Sequence, residues 1–192
     1  MKRGKLIVLS APSGTGKTTI TKELLKKNSK WKFSVSATTR PPREGEIDGR
    51  DYVFMSKEKF EHYVKFGDFL EWEFVHGNRY GTLTDPLYDC LDEGNIMLLD
   101  IDVVGGKNIM EEFPEDTLSI FIEPPGLNIA EQKIVLEERL RSRGNAQTTQ
   151  IKNRLKRFEK EMESKENFDL HYINETLDET INLIDKDIKE RI

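Results

Sequence analysis

Leu6-Ile-Val-Leu9, then Ser10, then Ala11-Pro-Ser-Gly-Thr-Gly-Lys-Thr18 is the stretch that decides the fold. Four apolar residues in a row suit a strand buried on both faces, as strands of a parallel sheet are. The loop behind them is rich in glycine and closes on Lys17-Thr18. Consecutive backbone N–H groups in such a loop face an anion, Gly14 and Gly16 permit close approach, and the following helix adds its dipole. Lys17 reaches the terminal phosphates of a nucleotide, and the Thr18 hydroxyl is placed to hold magnesium. Ala11, Pro12, Ser13, Gly14, Thr15, Gly16, Lys17 and Thr18 are therefore expected to bind a nucleoside triphosphate. The strict pattern G-x-x-x-x-G-K-[ST] has glycine where this chain has Ala11, the one departure in the loop.

Outward from that loop, strands alternate with helical patterns, which builds a parallel sheet covered by helices. A helix over about 18–27 turns Ile20, Leu24 and Leu25 inward, and Phe33 to Ala37 is expected to be the second strand. Ile96 to Ile101, Leu118 to Ile122 and His171 to Ile173 supply three more strands. Between them the pattern changes. Tyr52 to Met55, Phe69 to Val75 and the turn His76-Gly77-Asn78 predict short antiparallel strands, with a helix over Lys57 to Phe66 stopped by Gly67. Asp85-Pro86 is expected to cap a helix ending at Gly94. The region 37–95 is thus an inserted α+β subdomain. Residues 127–165 form two charged helices broken near Gly144, and their many Arg and Lys residues by themselves suit a solvated helical face.

A second acid for this chemistry belongs at the end of a neighbouring buried strand. Asp100 fits, ordering magnesium through water opposite Thr18, unless it only caps the next helix; Asp102 is divided between capping and substrate contact.

The whole chain has 192 residues, 36% hydrophobic and 34% charged, with a formal net charge of −5. Such a length corresponds to about one domain and needs no metal or disulfide staple. The negative balance argues against general nucleic-acid binding. A single cysteine, Cys90, excludes an intramolecular disulfide and is expected in the core. His62, His76 and His171 lack ligand spacing, and no apolar run is long enough for a membrane span or signal peptide. The expected setting is a reducing one, the cytoplasm.

Thr38 to Tyr52 carries Arg40 and Arg43 among Pro41, Pro42, Gly45 and Gly49. Such a loop either clamps a phosphate between two guanidinium forks or is an exposed basic turn. Taken with the phosphate loop, Ser34-Val-Ser-Ala-Thr-Thr-Arg-Pro-Pro-Arg43, Gly45-Glu46, Asp48-Gly49, Asp51-Tyr52 and Phe54 closely resemble guanylate kinase. So do Leu70-Glu-Trp72, Gly77-Asn78, Tyr80-Gly81-Thr82, Leu99-Asp-Ile-Asp102, Pro124-Pro125, Arg139-Leu140, Arg143-Gly144 and Asn153-Arg-Leu155.

The resemblance implies an α/β fold: a P-loop three-layer α/β/α core with a parallel sheet, an inserted GMP-binding subdomain and a helical lid. The core would comprise about 1–36, 96–126 and 168–192, the GMP subdomain 37–95, and the lid with its flanking helices 127–167. The implied reaction is phosphorylation of GMP, and of dGMP, by magnesium-ATP, giving GDP and ADP. Arg40, Arg43, Tyr52 and Tyr80 would hold the GMP phosphate; Ser36, Glu71, Thr82 and Asp102 would surround guanine; Arg139, Arg143 and Arg154 would meet the charge in transit; Asn174 would contact adenine. Guanine offers N1–H and an N2 amino group side by side, which one carboxylate accepts together. Adenine has a bare acceptor at N1, and polar pairing of this kind discriminates by factors on the order of 10⁴. Without the resemblance, Glu71 would pass for an exposed acid alternating with Leu70 and Trp72.

Two other readings of the resemblance are a non-catalytic phosphopeptide-binding module and a kinase of another phosphorylated metabolite. The first would be expected to lose the phosphate loop or lid arginines, the second Glu71 or the Arg40–Arg43 clamp; this chain keeps all of them.

Three places depart from the family pattern. The spacing from Pro125 to Arg139 is about six residues longer, roughly 9 Å of added helix, placed at Gly126 to Gln132 and expected to dock on the core through Leu127 and Ile129. Val104 stands for a glutamine, and Asn174-Glu175 for Asn-Asp.

Overall fold

The computed structural model describes residues 2–75, 77–142 and 148–192. Strand β1 (Lys5–Ser10) lies at the centre of a five-stranded parallel sheet, so Leu6, Ile7, Val8 and Leu9 are all completely buried. Its neighbours are β7 (Ile96–Asp100) on one side and β8 (Thr117–Glu123) on the other, flanked by β2 (Lys32–Phe33) and β9 (Leu170–Ile173). All four pairings are parallel.

Alternation along β1 divides the core in two. Ile7 and Leu9 pack with Ile20 and Leu24 of helix α1 (Lys17–Lys27) and with Ile181, Ile184 and Ile188 of α7 (Leu177–Arg191). Leu6 and Val8 face the opposite way. They meet α3 (Asp85–Asp92) through Leu87, Cys90 and Leu91, and α4 (Val103–Glu112) through Val103 and Ile109. The same cluster takes Leu136 and Leu140 of α5 (Ile129–Ser142), and Leu155, Phe158 and Met162 of α6 (Thr148–Glu163). The two charged helices are thus seated on the core by an apolar stripe, and the layers are helix, sheet, helix.

A second, four-stranded sheet has the order β4-β3-β6-β5, with β3 (Ala37–Thr38), β4 (Val53–Phe54), β5 (Phe69–Val75) and β6 (Asn78–Leu83). Helix α2 (Lys57–Phe66) covers it. The Ser56 hydroxyl accepts the Lys59 N–H at 3.1 Å to start this helix, and Gly67 ends it at φ 78°. Phe60 stacks on Phe69 at 4.3 Å in a small core with Ala37 and Met55.

Three expectations need correction. Phe33 to Ala37 is not one strand: Lys32 and Phe33 pair with β7, and after a short crossing Ala37 and Thr38 join the second sheet. Asp85 does not cap α3. It sits in the first turn, where its charge suits the helix dipole, and the N-cap is Thr84 without a side-chain hydrogen bond. The segment 126–132 does begin α5, yet it does not dock by its apolar residues, since Leu127 is 95% and Ile129 43% exposed. Its anchor is polar. Buried Gln132 donates to Glu123 Oε2 at 3.3 Å, and the same carboxylate pairs with Lys165 beyond α6. Glu131 accepts the N–H of Leu127 at 2.9 Å, while its own N–H donates to Asn128 Oδ1 at 3.0 Å, closing the turn on itself.

Candidate active site

The loop 11–16 leaves the end of β1 and passes into α1 at Gly16, whose φ of 106° favours glycine. A Cβ on Gly16 would also come within 2.8 Å of Asn174 Nδ2. Thr15 is buried, with its hydroxyl donating to the Pro12 carbonyl at 2.7 Å. Asn174, the residue expected at adenine, lies just past β9, is buried, and donates its side-chain N–H to the Thr15 carbonyl at 2.7 Å, fixing the loop from behind. Ala11, where the strict pattern has glycine, is buried in the apolar cluster with Ile7, Leu9 and Ile20 and also forms part of the wall of the cavity in front of the loop. In front of the loop lies a cavity of about 430 Å³, lined by Gly14, Lys17 and Thr18 among others.

Lys17 is held by the end of β7. Its Nζ lies 2.9 Å from Asp100 Oδ1 and also donates to the Ile101 carbonyl. Asp100 does not cap α4; Asp102 does, accepting the Gly105 N–H at 2.9 Å. Thr18 and Asp100 line the same cavity. No group of three or more His, Cys, Asp or Glu side chains that could hold a metal occurs among the described residues. A magnesium ion here would therefore take most of its ligands from phosphate oxygens and water, which is its usual habit.

A second cavity, of about 190 Å³, adjoins the first, and Tyr52, Asp100 and Asp102 line both. Ser36, Glu71, Tyr80 and Glu73 form the rest of its polar wall. A bulge between Phe69 and Glu71 sets Glu71 opposite Thr82, whose hydroxyl donates to Glu71 Oε1 at 2.6 Å. Burial pushes the Glu71 carboxyl above its ordinary range, against the pull of that hydrogen bond. Gly105 makes room for it: a Cβ there would sit 3.1 Å from Glu71 Cδ and 2.6 Å from Ile101 Cδ1. Val104 beside it is exposed.

The two loop arginines stand differently. Arg40 lies over the Tyr52 ring, 5.3 Å from its centroid, and spends its fork on Glu46 with two bonds of 2.9 Å. The Arg43 side chain is exposed, and its backbone N–H donates to the same carboxylate at 2.7 Å. Neither arginine lines the cavities as the chain stands. Of the lid arginines, Arg154 lines the larger cavity. Arg139 reaches beneath the loop, donating to the carbonyls of Thr15 and Asn174 at 3.3 Å each. Arg143 and Gly144 lie outside the described residues, as does His76.

Three wall residues escaped the sequence reading. Glu73 is two residues beyond Glu71 and so shares its face of the strand. Burial, then the Asp102 carboxylate beside it, pushes the Glu73 carboxyl up to about 7. Arg157 and Glu161 follow Arg154 at helical spacing and line the larger cavity with it. Burial also raises the Glu161 carboxyl.

Comparison with known proteins agrees with this geometry. The family model described as guanylate kinase matches residues 3–191. A guanylate kinase of Chlorobium luteolum is 44% identical over 181 residues, 94% of this chain and 89% of that protein. One of Synechocystis is 40% identical over 188 residues, 98% of this chain and 95% of its own length. The crystal structure of guanylate kinase from Anaplasma phagocytophilum superposes with a TM-score of 0.77 at 33% identity, covering 99% of this chain and 87% of that one. With a phosphate loop, an adjoining carboxylate-walled cavity and relatives matched over nearly its full length, this chain belongs to the guanylate kinase family.

Proposed function

We infer that the chain transfers the γ-phosphoryl group of ATP to the phosphate of GMP, yielding ADP and GDP. The observation that carries this reading is the pair of adjoining cavities with a shared wall of Tyr52, Asp100 and Asp102, one on the phosphate loop and one around Glu71. Two substrates seated there would meet at the shared wall.

The acceptor phosphate is itself the nucleophile, so the protein supplies alignment, charge compensation and exclusion of water. The loop N–H groups and Lys17 hold the donor phosphates, and Asn174 and Arg139 keep the loop in shape from behind. Thr18 and, through water, Asp100 would hold magnesium, which when bound offsets charge on the donor phosphates. Glu71 accepts guanine N1–H and N2–H, with Thr82 fixing its carboxylate and Ser36 and Asp102 completing the wall. Arg40 and Arg43, with Tyr52 and Tyr80, take the acceptor phosphate, for which Arg40 exchanges its bonds to Glu46. Arg154, with Arg143, meets the transferring charge from the lid; Arg139, which the resemblance sets beside them, is instead bonded to the carbonyls of Thr15 and Asn174. The division into a core, a GMP subdomain over 37–95 and a lid over 127–167 follows from these roles.

dGMP presents the same base edge and phosphate and is the expected second acceptor. The reaction belongs to purine nucleotide metabolism, and we place it in the cytoplasm, where ATP and GMP occur together. The test is to incubate the purified chain with ATP, magnesium and GMP and follow nucleotides by chromatography. One GDP per ADP supports the reading; ADP formed without GDP contradicts it.

A further inference from the structure

Glu73 stands where three parts of the molecule meet. It comes from β5 of the second sheet, lies beside Asp102 at the end of a core strand, and has Arg157 of helix α6 3.8 Å away, Nη2 to Oε2. Arg157 is anchored a second time on its own helix, with Nε 3.8 Å from Glu161 Oε1. Positions 154, 157 and 161 share one face of α6, and all three side chains line the larger cavity. Glu73 lines the smaller one, opposite Tyr80 in the hairpin register. One ion pair therefore joins the helix of the donor cavity to the strand of the acceptor cavity.

We propose that the Glu73–Arg157 pair positions helix α6 against the acceptor strand, so that Arg154 is correctly aimed when GMP is seated. The proposal rests on the GMP kinase reading above. Arg154 and Arg157 are one turn apart, so a rotation of α6 that releases Arg157 also turns Arg154 out of line. Alignment is sensitive: a misplacement of about 1 Å in a phosphoryl-transfer site costs on the order of 10²-fold. Glu73 is not needed to read the base, since Glu71 with its Thr82 bond already offers guanine the matching acceptors. The carboxylates near it, Asp102, Glu71 and, across Arg157, Glu161, all repel it, and among the described residues Arg157 is the cation that faces it.

The test is a double-mutant cycle on the full chain with Glu73→Gln, Arg157→Gln and their combination, adding Arg157→Lys and a thermal melt of each. Each single change is expected to lower kcat/KM for GMP about tenfold, mainly in kcat, with KM for ATP within about twofold. The double variant should lose no more than the worse single, because one interaction is removed only once. Arg157→Lys should retain most activity, and the Glu73→Gln melt should be no lower than the parent's. Single losses that multiply in the double variant overturn the proposal, as do singles within about twofold of the parent. A large loss in Arg157→Gln with none in Glu73→Gln also overturns it, since Arg157 would then act on phosphate directly. A parent without GMP kinase activity overturns the functional reading and the proposal together; any of the other results with an active parent overturns the proposal alone.

Discussion

Glu71→Gln replaces one carboxylate oxygen by NH₂ and changes almost nothing in shape. Thr82 donates to Oε1 at 2.6 Å, so the amide oxygen takes that place and the NH₂ turns toward the cavity. Guanine N1–H and N2–H then face a donor where they had an acceptor. Hydrogen bonds to a charged group are worth about 1.5–3 kcal/mol, and a stranded buried donor about 1–3 kcal/mol. Part of the loss is common to free and bound states, which brings the expected cost to about 2–4 kcal/mol, or roughly 30- to 1,000-fold in kcat/KM for GMP. Adenine, with an acceptor at N1 and an amino group beside it, pairs with the amide, so AMP use should not fall. Nor should the fold weaken, because burial already disfavours the Glu71 carboxylate. A coupled spectrophotometric assay with GMP, AMP and ATP varied in turn measures all three. Parallel changes for GMP and ATP, or a GMP value within about threefold of the parent, would refute the assignment of Glu71 as guanine reader.

Lys17→Ala should cut turnover by about 10²–10³-fold or more while the melting temperature stays within a few degrees, because Lys17 contacts Asp100 and the Ile101 carbonyl rather than the apolar core. Around the start of α5, Leu127→Ser and Ile129→Ser should each change stability by less than about 0.5 kcal/mol, whereas Gln132→Ala should cost about 1–2 kcal/mol, by urea titration. For Glu73 the folded-state carboxyl, at about 7, lies above its ordinary 4.5. The folded chain therefore binds the extra proton, and ionising Glu73 erodes stability as pH rises through that interval. Glu73→Gln removes the penalty: it should be more stable than the parent at pH 8, by about 1 kcal/mol after allowance for solvent screening, and the difference should vanish near pH 4. Melts at the two pH values decide it; a variant less stable at pH 8 contradicts the sign.

What was legible in the sequence was local. The phosphate loop announces itself because a strand, two glycines, Lys17 and Thr18 are contiguous, and the stop of α2 at Gly67 is written in the residue that follows it. Phe33 to Ala37 misled because five residues cannot say which sheet each end will join; the partners are Leu98 for Phe33 and Gly81 for Ala37. The apolar Leu127 and Ile129 suggested docking, but a helix start closed by Asn128 and Glu131 turns them outward. Glu73 and Arg157 were invisible for a different reason. One lies in an alternating strand and the other in a basic helix that suits solvent, and only the folded chain brings their side chains to within 3.8 Å. Asp102 was divided between a cap and a substrate contact; it caps α4 and lines both cavities.

The measurement that bears most directly on the central claim is kcat/KM for GMP, dGMP and AMP as acceptors with magnesium-ATP as donor, under one set of conditions. The carboxylate wall around Glu71 predicts GMP above AMP by a factor on the order of 10⁴, with dGMP within about tenfold of GMP. AMP used as well as GMP, or phosphate released to water at the same rate whichever acceptor is present, would contradict it.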